Sequence, residues 1–145
     1  YMSSEVLEKR IIESEGYRNK IYKDTRGFPT IGVGHLVTEN DEFEEGREYS
    51  KEILMTLFRK DVAKAEEGAK KLIGHIEGLH PEAKNLIIEM VFQMGTSGVS
   101  KFAKMLLALE EKNYKEAGVQ MLDSRWARQT PARCQRMAKM METCV

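Results

Sequence analysis

Glu13-Ser14-Glu15-Gly16-Tyr17-Arg18-Asn19-Lys20-Ile21-Tyr22-Lys23-Asp24-Thr25-Arg26-Gly27-Phe28-Pro29-Thr30-Ile31-Gly32-Val33-Gly34-His35-Leu36 runs from the end of a helical pattern into strand-like sequence. Upstream, Ser4 to Glu15 sets Val6, Leu7 and Ile11 on one face, with Gly16 just past the end, and this predicts a short amphipathic helix. Tyr17 to Tyr22 alternates and Phe28 to Val33 is strand-like, which predicts a hairpin around Gly27. Pro29 cannot donate to a ladder, so an edge position is expected for it. The sheet should be short and local.

The same stretch holds two acids in unlike settings. Glu15 falls at a helix C-terminus, where the negative end of the helix dipole favours a protonated carboxyl. Asp24 falls in the polar turn Asp24-Thr25-Arg26-Gly27, where a hydrated carboxylate keeps its charge. Glycosidic cleavage requires that division of labour, one carboxyl to donate a proton and one to stay anionic. On spacing alone, the more ordinary reading is that both are surface acids, as most Asp and Glu are.

Outward from this stretch the chain becomes helical. Ser50 suits the cap of a long helix to about Ile73, with Ile53, Leu54, Leu57, Phe58, Val62, Ala65, Ala69 and Leu72 as its apolar stripe. Asp61 interrupts that stripe and must have a partner or water, because an unpaired buried charge is very costly. At about 33 Å the helix is long enough to bridge two lobes. Pro81 fits the first turn of another helix carrying Ala83, Leu86, Ile87, Met90 and Val91, and Gly95 and Gly98 punctuate before Phe102, Leu106 and Leu109. Asn113 with Glu116 resembles a capping box, and Thr130-Pro131 a cap and first turn. The expected fold class is α+β, mostly helical. A single domain over 1–145 is expected.

Composition narrows the function classes. The 145 residues are 41% hydrophobic and 32% charged, with 23 basic and 23 acidic side chains. That is ordinary for a soluble domain. Zero net charge and the lack of a reading motif argue against nucleic acid as a partner. The longest apolar run, Met105-Leu106-Leu107-Ala108-Leu109, is far short of a membrane span, so no stable insertion is expected. Acids cluster between Glu39 and Glu52, while the end of the chain leans basic through Lys112, Lys115, Arg125, Arg128, Arg133, Arg136 and Lys139. Cys134 and Cys144 lie ten residues apart in one helical pattern, about 15 Å by rise, beyond disulfide reach, so both are expected to be free thiols in a reducing compartment. His35, His75 and His80 lack a coherent ligand spacing, and Gly32-Val33-Gly34 lacks the third glycine of a dinucleotide loop. Neither a metal nor a cofactor is expected.

The opening stretch resembles the N-terminal lobe of the T-even phage lysozymes, in which a helix ends in Glu-Gly and is followed by Lys-Ile-Tyr-Lys-Asp-Thr, a glycine turn and Thr-Ile-Gly-x-Gly-His-Leu. Two further matches keep the family's order. They are Met90-Val91-Phe92-Gln93-Met94-Gly95 with Gly98-Val99, and Ser124-Arg125-Trp126-Ala127-Arg128-Gln129-Thr130-Pro131-Ala132-Arg133. Together the matches span about Leu7 to Arg136, and the chain is identified on them as a member of that family.

The resemblance implies a division of the domain into a small N-terminal lobe over 1–50, an inter-lobe helix over 51–73 and a helical C-terminal lobe over 74–145. It also implies a peptidoglycan muramidase that cleaves the β-1,4 link between N-acetylmuramic acid and N-acetylglucosamine with inversion, causing bacterial lysis. Glu15 would be the general acid, Asp24 would stabilise positive charge and help activate water, and Thr30 would help hold that water. Arg133 would approach the catalytic glutamate. Gln93 and Trp126 would form a supporting pair, and His35 would pair with Asp61. Sugar contacts would fall at Leu36 and Phe92, which keep the family's residue types, and at Met105 and Gln120, where the family has serine and asparagine. The loop from Glu39 to Tyr49 looks shorter than the family's. The start, Tyr1-Met2-Ser3-Ser4-Glu5, lacks the regions of a signal peptide, so a host-cytoplasmic monomer released to the wall by another agent is expected. Two alternatives are a wall-binding module without turnover, against which Glu15, Asp24 and Thr30 argue, and a membrane-active protein working through its basic terminal helix.

Overall fold

A computed structural model describes the backbone from Met2 to Val145 and the side chains from Glu5 onward. The order among the described residues is α1 (Met2–Glu15), β1 (Arg18–Lys23), β2 (Pro29–Gly32), β3 (His35–Leu36), α2 (Lys51–Leu72), α3 (Pro81–Ser100), α4 (Ala103–Glu110), α5 (Tyr114–Leu122), α6 (Arg125–Gln129) and α7 (Pro131–Glu142). The architecture is α+β and mostly helical, as expected. The chain divides into two compact units, Glu5–Ala63 and, in the main, Lys64–Val145, with the division inside α2.

In the first unit, Leu7, Ile11, Ile31, Val33, Leu54 and Phe58 form the buried core. Full burial of each such side chain contributes roughly 1.5–3 kcal/mol. Val6 and Ile53 were expected on buried faces but are exposed. Each stands about 100° around its helix from a buried neighbour, Leu7 or Leu54, and the apolar stripe is too narrow to include both.

The sheet is antiparallel in the order β1-β2-β3. Pro29 is therefore on the central strand, which corrects the edge position expected for it. It is tolerated because it is the first residue of β2, opposite Lys23, where its carbonyl accepts from the Val37 amide at 3.0 Å. The acidic loop after β3 is ordered by aromatic contacts. Phe43 meets Tyr49 edge-on at 4.9 Å, and the Tyr49 amide donates to the Asn19 carbonyl at 3.0 Å. Ser50 caps α2 by accepting from the Ile53 amide at 3.2 Å.

In the second unit, Leu86, Ile87, Met90, Met105, Leu109, Met121, Met137 and Met141 are buried. α3 breaks at Gly95 (φ 79°, ψ 163°), a conformation open essentially to glycine alone. Asn113 caps α5 by accepting from the Glu116 amide at 3.2 Å. Thr130 does not cap α7 with its side chain as expected. Its hydroxyl instead donates back to the Trp126 carbonyl at 3.4 Å, and Pro131 alone begins the helix. Both cysteines are free and buried, but α7 ends at Glu142, so Cys144 lies past the helix that was expected to carry both.

Candidate active site

Glu15 is the last residue of α1, and the chain leaves the helix through Gly16 (φ 77°), whose amide donates to the Ile12 carbonyl at 2.8 Å. The Glu15 carboxyl comes to rest on the β2–β3 turn. A Cβ built on Gly34 would meet Glu15 Oε1 at 2.8 Å. Tyr22, on β1, ties this carboxyl to the second acid. Burial pushes its phenol above the ordinary 10.0, the charges of Glu15 and Asp24 add to that push, and Arg18 opposes it. Arg18 also lies over the Tyr22 ring at 4.7 Å. Glu15, Tyr22 and Asp24 thus share one electrostatic neighbourhood.

Asp24 begins the β1–β2 turn, and the turn backbone is wrapped around its carboxylate. Oδ1 accepts from the amides of Phe28 and Arg26, each at 2.9 Å, and Oδ2 faces Arg26 Nη2 at 3.6 Å. The Phe28 amide is the largest effect on this carboxyl; desolvation opposes it, and the amide and guanidinium of Arg26 join it to hold the group below its ordinary range. Asp24 is built to stay anionic. Thr30, opposite Tyr22 and Leu36 in the sheet, is buried, and its hydroxyl donates to the Phe28 carbonyl at 3.0 Å. With its one proton so placed, the Thr30 oxygen is left as an acceptor. Leu36 is exposed on β3.

His35 stands between two carboxylates. Nδ1 is 2.7 Å from Asp61 Oδ2 on α2, the pair the resemblance implies, and Nε2 is 3.0 Å from Asp41 Oδ2 in the acidic loop. Ionised carboxylates only accept, so both ring nitrogens are satisfied only when both carry protons, which makes the side chain an imidazolium. The hydrogen bond to Asp61 is the largest cause of a raised His35 pKa. Desolvation opposes it, and Asp41 adds to it. Burial pushes Asp41 upward, but the Thr38 amide at 2.8 Å and His35 together outweigh it and hold the acid below its ordinary 3.8.

The remaining candidates lie in the second unit. Trp126 Nε1 donates to Gln93 Oε1 at 3.1 Å and its ring meets Phe102 edge-on at 6.1 Å, so the Gln93–Trp126 pair is formed. Phe92 is half-buried on α3. Gln120, half-buried, donates through Nε2 to Glu116 Oε1 at 2.9 Å. Met105, Gln120 and Trp126 all border an open hollow of about 640 Å³ that also takes in Phe102, Lys104 and Arg125. Met105 is wholly buried, so it forms the floor and offers no surface of its own to a sugar. Arg133 donates through Nε and Nη2 to Glu89 Oε2 at 3.2 and 3.1 Å, and Arg136 Nη2 lies 3.6 Å from the same oxygen.

Glu89, Asp41, Tyr22 and Gly34 do not stand out in the sequence reading. Glu89 carries the signal that exposed Asp61, a carboxylate inside the apolar run Leu86-Ile87-Ile88-Glu89-Met90-Val91. It is only 1% exposed. Asp41 is one acid among many in its loop, and nothing local distinguishes it.

The sequence profile of the family described as phage lysozyme matches residues 12–140. The chain is 36% identical to "Probable T4-type lysozyme 2" of Dictyostelium discoideum, with 94% of each chain covered. It is 31% identical to the "Pre-baseplate central spike protein Gp5" of Enterobacteria phage T4, over 94% of this chain and 28% of that protein. It is 29% identical to the "Endolysin" of Salmonella phage P22, over 74% of this chain and 73% of the other.

Proposed function

Because this chain belongs to the phage lysozyme family and is a muramidase, a glycoside hydrolase of peptidoglycan, we propose that Glu15 and Asp24 carry its chemistry. The observation that carries the assignment is the pairing of two unlike carboxyls around Tyr22. Glu15 sits against glycine backbone at a helix C-terminus, and Asp24 is gripped as an anion by two amides and a guanidinium. Glu15 donates its proton to the oxygen leaving between N-acetylmuramic acid and N-acetylglucosamine. Asp24 stabilises the oxocarbenium charge and draws the proton from an attacking water, and the acceptor lone pairs of Thr30 help to orient that water. Attack from the face opposite the leaving group inverts the anomeric centre.

In the second unit, the hollow beside Phe102 and Trp126 suits further saccharide contact. The Gln120 amide can donate and accept at an N-acetyl group there. Phe92 is assigned as a sugar contact of this unit and Leu36 as one of the first. The enzyme acts as a monomer on the bacterial wall, and among the described residues no helix is long and apolar enough to cross a membrane.

Turbidity clearing of purified walls tests the assignment. Glu15→Gln keeps shape and removes the donor, so clearing should fall by several orders of magnitude while the circular dichroism melt is retained. Clearing within tenfold of wild type would overturn the role of Glu15. An α-anomeric first product, read by proton NMR on a β-linked oligosaccharide, is the expected sign of inversion.

A further inference from the structure

We infer that Gly34 is a positioning residue for Glu15: its bare backbone is the seat on which the carboxyl rests, and any Cβ there displaces the proton donor. The inference rests on the assignment of Glu15 above. A Cβ on Gly34 would lie 2.8 Å from Glu15 Oε1 and 3.2 Å from both Cδ and Cγ. Half the side chain therefore lies along the glycine, with the Oε1 separation shorter than real Cβ atoms keep and the two carbon separations tight enough that the glutamate must give way. Oε1 can swing aside as the far end of a side chain, but Cγ cannot retreat without carrying the whole carboxyl with it, and the position of that carboxyl is its function.

Backbone conformation alone does not account for the need. Gly34 has φ 64°, but Lys112 adopts φ 56° with a full side chain, so this chain tolerates the left-handed region at a non-glycine residue. Gly32 supplies an internal control. It also has φ 64°, but its added Cβ would meet only Leu54, at an ordinary 3.6 Å. The two glycines flank one turn and share one strain. Only Gly34 faces the acid.

The test compares Gly32→Ala, Gly34→Ala, Glu15→Ala and the double variant Glu15→Ala with Gly34→Ala, by urea unfolding and by wall-clearing rates over a range of wall concentrations. Left-handed strain should raise the unfolding equilibrium constant roughly 5- to 30-fold for either glycine variant. Gly34→Ala should carry a further penalty of at least about fivefold, which disappears when Glu15 is already alanine. In clearing, Gly34→Ala should lower kcat about 100-fold with KM changed less than about threefold, the signature of a misplaced catalytic group. Gly32→Ala should keep kcat within about fivefold when assayed below its melting temperature. An identical Gly34→Ala penalty with and without Glu15 overturns the seat, and so does a kcat loss no larger than that of Gly32→Ala. The stability cycle is independent of turnover, so failure of Glu15 as the acid and failure of Gly34 as its seat are separate results.

Discussion

Asp61→Asn removes one charge from the carboxylate–imidazolium–carboxylate chain around His35 and leaves the shape unchanged, so its cost should depend on pH. His35 has a folded pKa above its ordinary 6.5, led by the Asp61 hydrogen bond, so its share of stability is fully present below pH 6.5 and is lost as pH rises through the folded value. Asp41 has a folded pKa below its ordinary 3.8, so its share is present above that pH and is lost as pH falls through the folded value. Both shares are complete only between about pH 4 and 6.5. A charge-assisted hydrogen bond contributes roughly 1.5–3 kcal/mol, but the His35 and Asp61 side chains are 17% and 24% exposed and the asparagine oxygen can still accept, so about 1–2 kcal/mol is expected at pH 5.5. For a chain of this size that is a fall in Tm of roughly 3–6 °C. Once pH has risen through the folded value the imidazole carries no charge for Asp61 to stabilise, and by pH 9 the difference should shrink below about 0.5 kcal/mol. Asp41→Asn should keep more of its cost at pH 9, since the bond from the Thr38 amide does not titrate. Urea denaturation of the three proteins at pH 5.5 and pH 9 reads all of this. Equal destabilisation by Asp61→Asn at both values would refute the argument that the imidazolium is what Asp61 stabilises.

Three other outcomes are expected. Glu89→Gln takes the charge from a buried carboxylate that Arg133 and Arg136 share, and should destabilise by roughly 2–4 kcal/mol in chemical denaturation at pH 7; a cost under about 0.5 kcal/mol would mean that the arginines find other partners. Asp24→Asn can keep the amide bonds at Oδ1, so it should melt within a few degrees of wild type yet clear walls at least about 100-fold more slowly; near-normal clearing would remove Asp24 from the mechanism. The Cys134 thiol is pushed by burial up to about 11, so at pH 8 its native reaction with a thiol reagent should be slower by roughly 100-fold than in urea, where both cysteines should titrate without reduction; fast native labelling of Cys134 would contradict its burial.

What the sequence determined by itself is local. A helix that must stop at Gly16, a turn spelled Asp24-Thr25-Arg26-Gly27 and a cap at Ser50 are decided by residues within a few positions of one another, so the elements were legible in the chain, while Glu15 and Asp24 stood out from ordinary surface acids only through the resemblance. Asp61 was legible for a related reason: a charge inside an apolar helical stripe must have a partner, whatever the partner is. Its pairing with His35 came from the resemblance. Tertiary structure alone decided what lies opposite. Pro29 reads as an edge residue because proline lacks a donor, but the sheet places it centrally, at a strand end where that donor is not needed. Asp41 looked like one more solvated acid until the loop set it against His35 Nε2, and Gly34 looked like half of a failed nucleotide motif until Glu15 was laid upon it. Met105 was named as a sugar contact from the resemblance, but burial, which no local pattern states, made it a floor. Sequence periodicity specifies which face of an element turns inward; what that face meets depends on residues distant in the chain, brought near only by folding.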